Sequence, residues 1–180
     1  RVDDELYAET EEIAYRLGQL GFSIVTGGGP GVMEAANKGA LKAGVTSVGL
    51  NISLPEEQVS NAYTTRSITF NHFFTRKVML VKYAVAFVIM PGGLGTLDEL
   101  TEVLTLMQTH KIRPFPVVLF GSEFWKGFLD WLRSSVLSRN YISEKDFELL
   151  RVLDRPDEVV EAIRRWHVGH EVIGEKALHK

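Results

Sequence analysis

The sequence has no cysteine, no long apolar run and no excess of basic residues. Without cysteine there is no disulfide framework, no thiolate-ligated zinc site and no thiol nucleophile. The apolar runs stop short of the roughly 18 residues that a membrane helix needs, and the acidic first dozen residues do not resemble a signal peptide. A net charge of −3 disfavours a dedicated nucleic-acid-binding protein. We therefore expect a soluble, cytoplasmic protein that binds neither nucleic acid nor membrane.

The length of the chain predicts one domain. Its 180 residues, 45% of them hydrophobic, are enough to bury a core without disulfides or metals. No linker, repeat or low-complexity stretch divides it. We expect residues 1–180 to form a single domain, with about 168–180 as a candidate disordered tail.

Short apolar runs alternate along the chain with longer helical patterns. Helices are predicted over residues 8–20, 32–42, 73–82, 96–110, 123–137, 143–149 and 156–166. Strands are predicted at residues 22–25, 45–51, 67–70, 85–90, 116–120 and 151–153. The strand runs are almost wholly apolar, which is typical of parallel strands buried on both faces. The pattern predicts an α/β, Rossmann-like open parallel sheet with helices on both faces.

The chain begins with a helical pattern, whereas doubly wound α/β folds normally begin with a strand. Either the sheet starts late or the sequence lacks its first strand. We favour the second interpretation.

The first glycine-rich loop lies between a predicted strand and a helix and reads TGGGPG over residues 26–31. At the carboxyl edge of a parallel sheet such a loop can bring backbone amides close to a phosphate. Gly27, Gly28 and Gly29 are therefore candidate ligand-binding residues. The loop matches neither G-x-G-x-x-G nor a Walker loop. A dinucleotide site would also place an acidic residue where Asn51 stands, so dinucleotide binding is a minor hypothesis.

The second glycine-rich loop follows the most apolar predicted strand and reads PGGLGTLDE over residues 91–99. Gly92, Gly93 and Gly95 favour an anion-binding loop at the start of a helix. One alternative assigns Thr96 and Glu99 to an ordinary capping box. The other lets Glu99 face a centre that develops positive charge, such as a ribose becoming an oxocarbenium ion.

Two cations, Arg76 and Lys77, open the helix before that strand. On the helical wheel Arg76 lies about 160° from Val78, at roughly 100° per residue, and so points away from the apolar stripe of Phe74, Val78 and Val81. A solvated cationic pair is one interpretation and a phosphate clamp is the other. Arginine is a poor general acid, so clamping and orientation are the roles that suit Arg76.

Three segments together resemble the LOG ("Lonely Guy") family. Residues 91–99 are similar to its signature P-G-G-x-G-T-x-x-E, residues 74–77 (FTRK) to the Arg-Lys element before it, and residues 26–37 to its first glycine block. The similarity runs from about residue 7 to residue 120. Members of the family carry a further strand before the first helix.

The resemblance implies a Rossmann-like phosphoribohydrolase. Such enzymes cleave the N-glycosidic bond of cytokinin riboside 5′-monophosphates or of AMP, giving the free base and ribose 5-phosphate. The family's catalytic pair falls on Arg76 and Glu99, and its phosphate loop on Gly92, Gly93, Gly95 and Thr96. Lys77 and the glycines of the first block, Gly27 to Gly29, would contact substrate, and Glu57 would supply an acidic contact.

We expect no cofactor and no metal, since the histidines do not suggest a metal site. The resemblance implies a homo-oligomer of at least two subunits. Candidate interface residues in the sequence are Phe73, Met79, Tyr83 and Met107. Members were often labelled lysine decarboxylases, but no pyridoxal-binding lysine constellation stands out. The alternative function is a non-catalytic nucleotide or cofactor carrier of the same fold, similar to molybdenum-cofactor carriers. A purely structural protein is disfavoured by two glycine loops at one sheet edge.

Overall fold

The computed structural model describes residues 3–53 and 60–178, with side chains as far as residue 169. The chain divides into two compact units, Arg1–Ala84 and Val85–Lys180. Glu57 lies outside the described residues, so its predicted contact with substrate stays a prediction.

In the part of the first unit that the structure describes, three helices flank a three-stranded parallel sheet. Its helices are α1 (Asp4–Gln19), α2 (Val32–Lys42) and α3 (Phe73–Lys82), and its strands are β1 (Ile24–Thr26), β2 (Ser47–Ile52) and β3 (Arg66–Phe70). The strand order is β1-β2-β3. Val25 pairs with Val48, and Leu50 pairs with Ile68. This register brings the carboxyl ends of the strands to one edge.

Helices α1 and α2 pack closely because a glycine stands at their crossing. A Cβ placed on Gly39 would lie 2.2 Å from the backbone oxygen of Glu11 and 2.8 Å from the amide nitrogen of Tyr15. No side chain larger than hydrogen fits there without moving a helix. The carboxylate of Glu11 also bridges to α2, 2.9 Å from Lys38 and in contact with Lys42. Together these contacts join the two helices along their length.

The second unit is also a three-stranded parallel sheet with helices. Its strands are β4 (Phe87–Ile89), β5 (Val117–Phe120) and β6 (Leu150–Leu153), in the order β4-β5-β6. Its helices are α4 (Leu94–Gln108), α5 (Ser122–Trp131), α6 (Glu144–Phe147) and α7 (Pro156–Leu178). Between α5 and α6 the chain passes through a π-helical turn, Leu132–Val136, and a 3₁₀ turn, Leu137–Arg139.

The core of the second unit lies between α4, α5 and the sheet. It comprises Ile89, Leu100, Val103, Met107, Val117, Leu119, Trp125 and Leu129. The indole nitrogen of Trp125 donates to the carbonyl of Phe120 at 3.0 Å, which satisfies its one polar atom. Met107 is therefore a core residue, and its predicted place at a subunit interface is wrong.

The α/β class with parallel strands flanked by helices is confirmed. Helices α2 and α3 have the predicted bounds, and most other boundaries differ by a few residues. Helix α7 begins at the predicted residue, Pro156, but extends beyond the predicted end at residue 166 to Leu178. The predicted helix over 123–137 instead changes to π and 3₁₀ geometry after Trp131. The single domain and the disordered tail stay predictions. Within the described part of the chain, none of the helices combines the length and apolar character that a membrane span requires.

Candidate functional site

Both glycine loops follow a strand and lead into a helix. The first loop connects β1 to α2, and the second connects β4 to α4. Each is at the carboxyl end of a parallel strand, the edge at which open α/β sheets bind ligands. The two loops differ in how their polar groups are already used.

The second loop presents helix N-terminal amides to solvent. Helix α4 has Gly93 as its N-cap, has no side-chain cap and has no acidic residue in its first turn. The residues from Gly92 to Gly95 are exposed, including a leucine, Leu94, which is 85% exposed. The first amides of a helix have no partner within the helix and carry its positive dipole end. The loop can therefore accept an anion.

Thr96 lies inside α4 and packs against Gly92. Its amide donates to the carbonyl of Gly93 at 3.0 Å, so the amides that can face an anion are those preceding it. A Cβ on Gly92 would stand 2.1 Å from the Thr96 hydroxyl oxygen, whereas Cβ atoms on Gly93 and Gly95 would meet nothing within 4 Å. Because the helix begins at Leu94, Thr96 is not its N-cap. The capping-box interpretation of Thr96 and Glu99 is therefore wrong.

Glu99 lies one turn along α4 on the face of Thr96, since residues three apart share a helix face. It is half-buried, and its Oε2 is inaccessible to solvent. Glu102 follows one turn further and is likewise half-buried with a buried oxygen. Leu100 and Val103 take the core side of the helix. Glu102 was not among the candidate residues from the sequence. Its spacing of three residues from Glu99 would have placed it on the same face of a helix.

The polar groups of the first loop are turned inward. The amide of Gly28 donates to the Thr26 hydroxyl at 2.9 Å, and the Gly28 carbonyl accepts from the amide of Asn61 at 2.9 Å. Gly28 has φ +74°, and a Cβ on it would lie 2.2 Å from Oδ1 of Asn51. Only glycine fits that combination of backbone conformation and space. The amide of Gly28 is therefore not available to an anion.

An acidic residue also compensates the start of α2. Glu34 lies in its first turn and accepts a hydrogen bond of 2.8 Å from the Tyr7 hydroxyl. Burial, together with this carboxylate, raises the pKa of Tyr7 well above its ordinary value, so its hydroxyl remains a donor. A phosphate at the start of α2 would be repelled by the Glu34 carboxylate. The first turn of α4 carries no acidic residue and would not repel it.

Arg76 lies beside the first loop. It is half-buried in α3, with its Nε inaccessible to solvent. Its Nη1 is 3.8 Å from the Cβ position of Gly27, and its Cζ is 5.1 Å from the centre of the Phe73 ring. The solvated-pair interpretation therefore does not hold for Arg76, and neighbouring Lys77 is half-buried too.

The exposed face of α3 is the one predicted to be its apolar stripe. Phe74 and Val78 are 66% and 57% exposed, whereas Val81 is buried. The helix contacts β2 and β3, and Val81 is its buried residue. The predicted stripe is thus wrong for Phe74 and Val78, although the inference that Arg76 points elsewhere holds.

The candidate residues fall into two groups. Arg76 and Gly27 lie together in the first unit, while Gly92, Thr96 and Glu99 belong to one loop and helix in the second. The catalytic pairing of Arg76 with Glu99 joins residues of different units and stays a prediction. Around the first loop the structure adds three buried asparagines that the sequence analysis did not select as site residues: Asn37, Asn51 and Asn61.

The described residues contain no cluster of three or more His, Asp or Glu side chains placed to hold a metal. An open groove of about 790 Å³ lies at the far end of α4, lined by residues that include Gln108, Tyr141 and Asp146. Neither glycine loop borders it. The candidate site is therefore defined by the loops and not by this groove.

Comparisons with known proteins show the family to which the chain belongs. The sequence model of a family described as "possible lysine decarboxylase" matches residues 33–163. A cytokinin riboside 5′-monophosphate phosphoribohydrolase of Mycobacterium marinum is 30% identical over 79% of this chain and 76% of its own length. A rice protein of the same name with the suffix LOG is 31% identical over 74% of this chain. The match spans about half of the rice protein, 55% of its length.

Solved structures show the same fold. A molybdenum-cofactor-binding protein of Rippkaea orientalis superposes with a TM-score of 0.67 at 20% identity, covering 92% of this chain and 90% of its own. At that identity the likeness concerns the fold alone.

Proposed function

Because the chain belongs to the LOG family, whose sequence model carries the description "possible lysine decarboxylase", we propose that it is a nucleoside 5′-monophosphate phosphoribohydrolase. The proposed reaction hydrolyses the N-glycosidic bond of a cytokinin riboside 5′-monophosphate or of AMP. The products are the free base and ribose 5-phosphate. The names of the curated relatives support the reaction class.

The observation that carries the proposal is the uncompensated start of α4. Its first turn has no acidic residue, its N-cap is a glycine, and its exposed glycines leave room for an anion to approach the backbone. A 5′-phosphate bound by the amides before Thr96 would be held without a metal. The start of α2, which carries Glu34, suits an uncharged part of the nucleotide better.

Glu99 is proposed as the catalytic carboxylate. It stands one turn from the phosphate amides, on the same helix face as Thr96. A carboxylate there would stabilise the positive charge that develops on the ribose as the bond to the base breaks. The same group would position or deprotonate the attacking water.

Arg76 is proposed to orient the substrate. An arginine side chain stays protonated in proteins and offers a fork of donors, which suits it to hold phosphate or hydroxyl oxygens rather than to transfer a proton. Its guanidinium lies against Gly27 and over the ring of Phe73. These contacts restrict its position before substrate arrives.

The reaction is tested by incubating the protein with AMP and with N6-isopentenyl-AMP and measuring released base by chromatography. We expect release from at least one of them, and loss of at least a hundredfold in kcat for Glu99→Gln, since general acid–base and electrostatic contributions are each worth about 10² or more. Asp98→Asn removes a carboxylate from the exposed side of the same turn and is the matched control. A Glu99→Gln variant as active as the control contradicts the assigned role.

The second candidate function is a carrier or sensor that binds a nucleotide-like cofactor without hydrolysing it. The fold likeness to a molybdenum-cofactor-binding protein favours it. A protein that binds AMP in calorimetry but releases no base from either nucleotide would support the carrier and exclude the hydrolase.

We further propose a homo-oligomer. Phe74, Val78 and Tyr83 leave an apolar face of α3 exposed in the single chain. Size-exclusion chromatography with light scattering measures the mass directly. A monomer at micromolar concentration contradicts this proposal.

A further inference from the structure

A network of buried amides and hydroxyls surrounds the first glycine loop. At its centre is Asn37, a fully buried residue of α2. Its Nδ2 donates to the Ser47 hydroxyl at 2.9 Å and to the Val48 carbonyl at 3.3 Å. Its Oδ1 accepts from the Thr26 hydroxyl at 2.7 Å and from Nδ2 of Asn61 at 2.9 Å. All four hydrogen-bonding positions of the amide are thus used within the protein.

Asn61 connects this network to the backbone of the loop. Its amide nitrogen donates to the Gly28 carbonyl at 2.9 Å, and its Nδ2 also donates to the Gly29 carbonyl at 3.0 Å. Its Oδ1 accepts from the amide of Tyr63 at 3.1 Å. A buried polar group that loses its partner costs about 1–3 kcal/mol. The loop therefore has one favoured conformation, set by the side chain and the backbone amide of Asn61.

The loop held in this way is the surface beside which Arg76 lies. A Cβ built on Gly27 would lie 3.8 Å from Nη1 of Arg76, so the guanidinium occupies the space that a side chain at position 27 would face. Gly28, the next residue, is fixed at its amide by Thr26 and at its carbonyl by Asn61. A shift of the loop would therefore move the wall on which the guanidinium rests.

We infer that Asn61 is a positioning residue that acts through the first glycine loop on Arg76. It touches no substrate; its side chain holds the carbonyl of Gly29 and its backbone amide holds that of Gly28, so that Gly27 keeps the guanidinium in place. This inference rests on the proposed function, in which Arg76 orients the nucleotide. The loop then serves to place a cation rather than to bind an anion with its own amides.

A double-mutant cycle tests the inference. Asn61→Ala removes the two side-chain donations of Asn61, to the Gly29 carbonyl and to Oδ1 of Asn37. We expect kcat/KM to fall by about 10- to 100-fold, the effect of a displaced orienting group. In an Arg76→Lys background the same change should cost less than about twofold, because residues that act as one unit are not additive. Equal losses in both backgrounds would overturn the inference.

The control is Thr10→Val, at a buried residue of α1 in the same unit. It removes a part-buried hydrogen bond of 2.6 Å from the Thr10 hydroxyl to the Leu6 carbonyl. It should lower the thermal midpoint to a similar extent as Asn61→Ala and leave kcat/KM unchanged within about twofold. A matching loss of activity in Thr10→Val would show that general destabilisation explains the effect, which would overturn the inference. Asn61→Asp, which keeps the acceptor for Tyr63 and loses both donations, is the second variant should Asn61→Ala fold poorly.

A second measurement does not depend on activity. The side-chain Nε–H signal of Arg76 in a ¹⁵N-labelled sample, assigned by its absence in Arg76→Lys, reports on the guanidinium whose Nε is buried. It should shift in Asn61→Ala and stay in place in Thr10→Val. If the wild type releases no base, the proposed function fails on its own. An unmoved signal in Asn61→Ala overturns the positioning role in either case.

Discussion

Replacing Gly95 by alanine should stabilise the protein and weaken its substrate binding. Gly95 is the second residue of α4, and a Cβ there would meet nothing within 4 Å. Alanine is favoured over glycine in a helix by up to about 1 kcal/mol, because glycine loses more backbone entropy. For a chain of this length that gain corresponds to a rise in thermal midpoint of about 2–4 °C.

The added methyl group would nevertheless stand beside the amides proposed to bind the phosphate. We expect KM for AMP to rise about tenfold or more, the effect of losing one charge-assisted hydrogen bond. The free energy of unfolding, from urea titration, and KM, from the base-release assay, should therefore both rise, so that stability increases while the affinity for substrate falls. Few structural substitutions produce that combination.

Gly92→Ala is the matched comparison, because its Cβ would lie 2.1 Å from the hydroxyl oxygen of Thr96. Overpacking of this kind costs about 1–3 kcal/mol, and Thr96→Ala in the same chain should recover part of it. A Gly95→Ala protein that is more stable but has an unchanged KM would refute the phosphate-binding role of the loop. One that is less stable would refute the account of the helix start.

Two further predictions concern the contact between α1 and α2. Gly39→Ala should destabilise the protein by about 1–3 kcal/mol in urea titration, since its Cβ would lie 2.2 Å from a backbone oxygen of α1; an unchanged midpoint would contradict the close packing. Burial by itself raises the pKa of Glu11, but hydrogen bonds from Lys42 and Lys38 outweigh it and hold that pKa below its ordinary value of 4.5. Its stabilising effect is therefore fully present above pH 4.5 and is lost as the pH falls through the lower, folded-state pKa; the acid limb of unfolding free energy against pH should be shallower in Glu11→Gln.

The sequence predicted the fold class and the positions of most elements because apolar runs and helical periodicity are local signals. Strand β4 is a three-residue strand at Phe87–Ile89 within a predicted run of six, since pairing with β5 and not apolar character sets its length. The start of α4 was misplaced for a related reason. Thr96 looked like an N-cap, but the chain turns into the helix earlier, at Gly93.

The motif residues of the candidate site were visible in the sequence, but their environment was not. Arg76 could be placed on α3, yet only the structure brings it beside Gly27. Asn37 and Asn61 lie 24 positions apart and meet through a side-chain hydrogen bond, which no periodic pattern reports. In the sequence, Asn51 indicated only that the acidic residue expected of a dinucleotide site is absent. In the structure, its side-chain Oδ1 occupies the space that a side chain at position 28 would need.

The bare N-terminus of α4 also has a consequence for how a nucleotide would reach it. The chain as a whole carries a net charge of −3, so at long range its field opposes a doubly charged phosphate ester. The attraction of a helix end falls off within its first turn. At 0.1 M ionic strength charges are screened beyond about 10 Å, so dissolved salt weakens the repulsion at a distance. Capture would then be a short-range event that moderate salt helps rather than hinders, unlike the electrostatic steering of strongly basic phosphate-binding proteins.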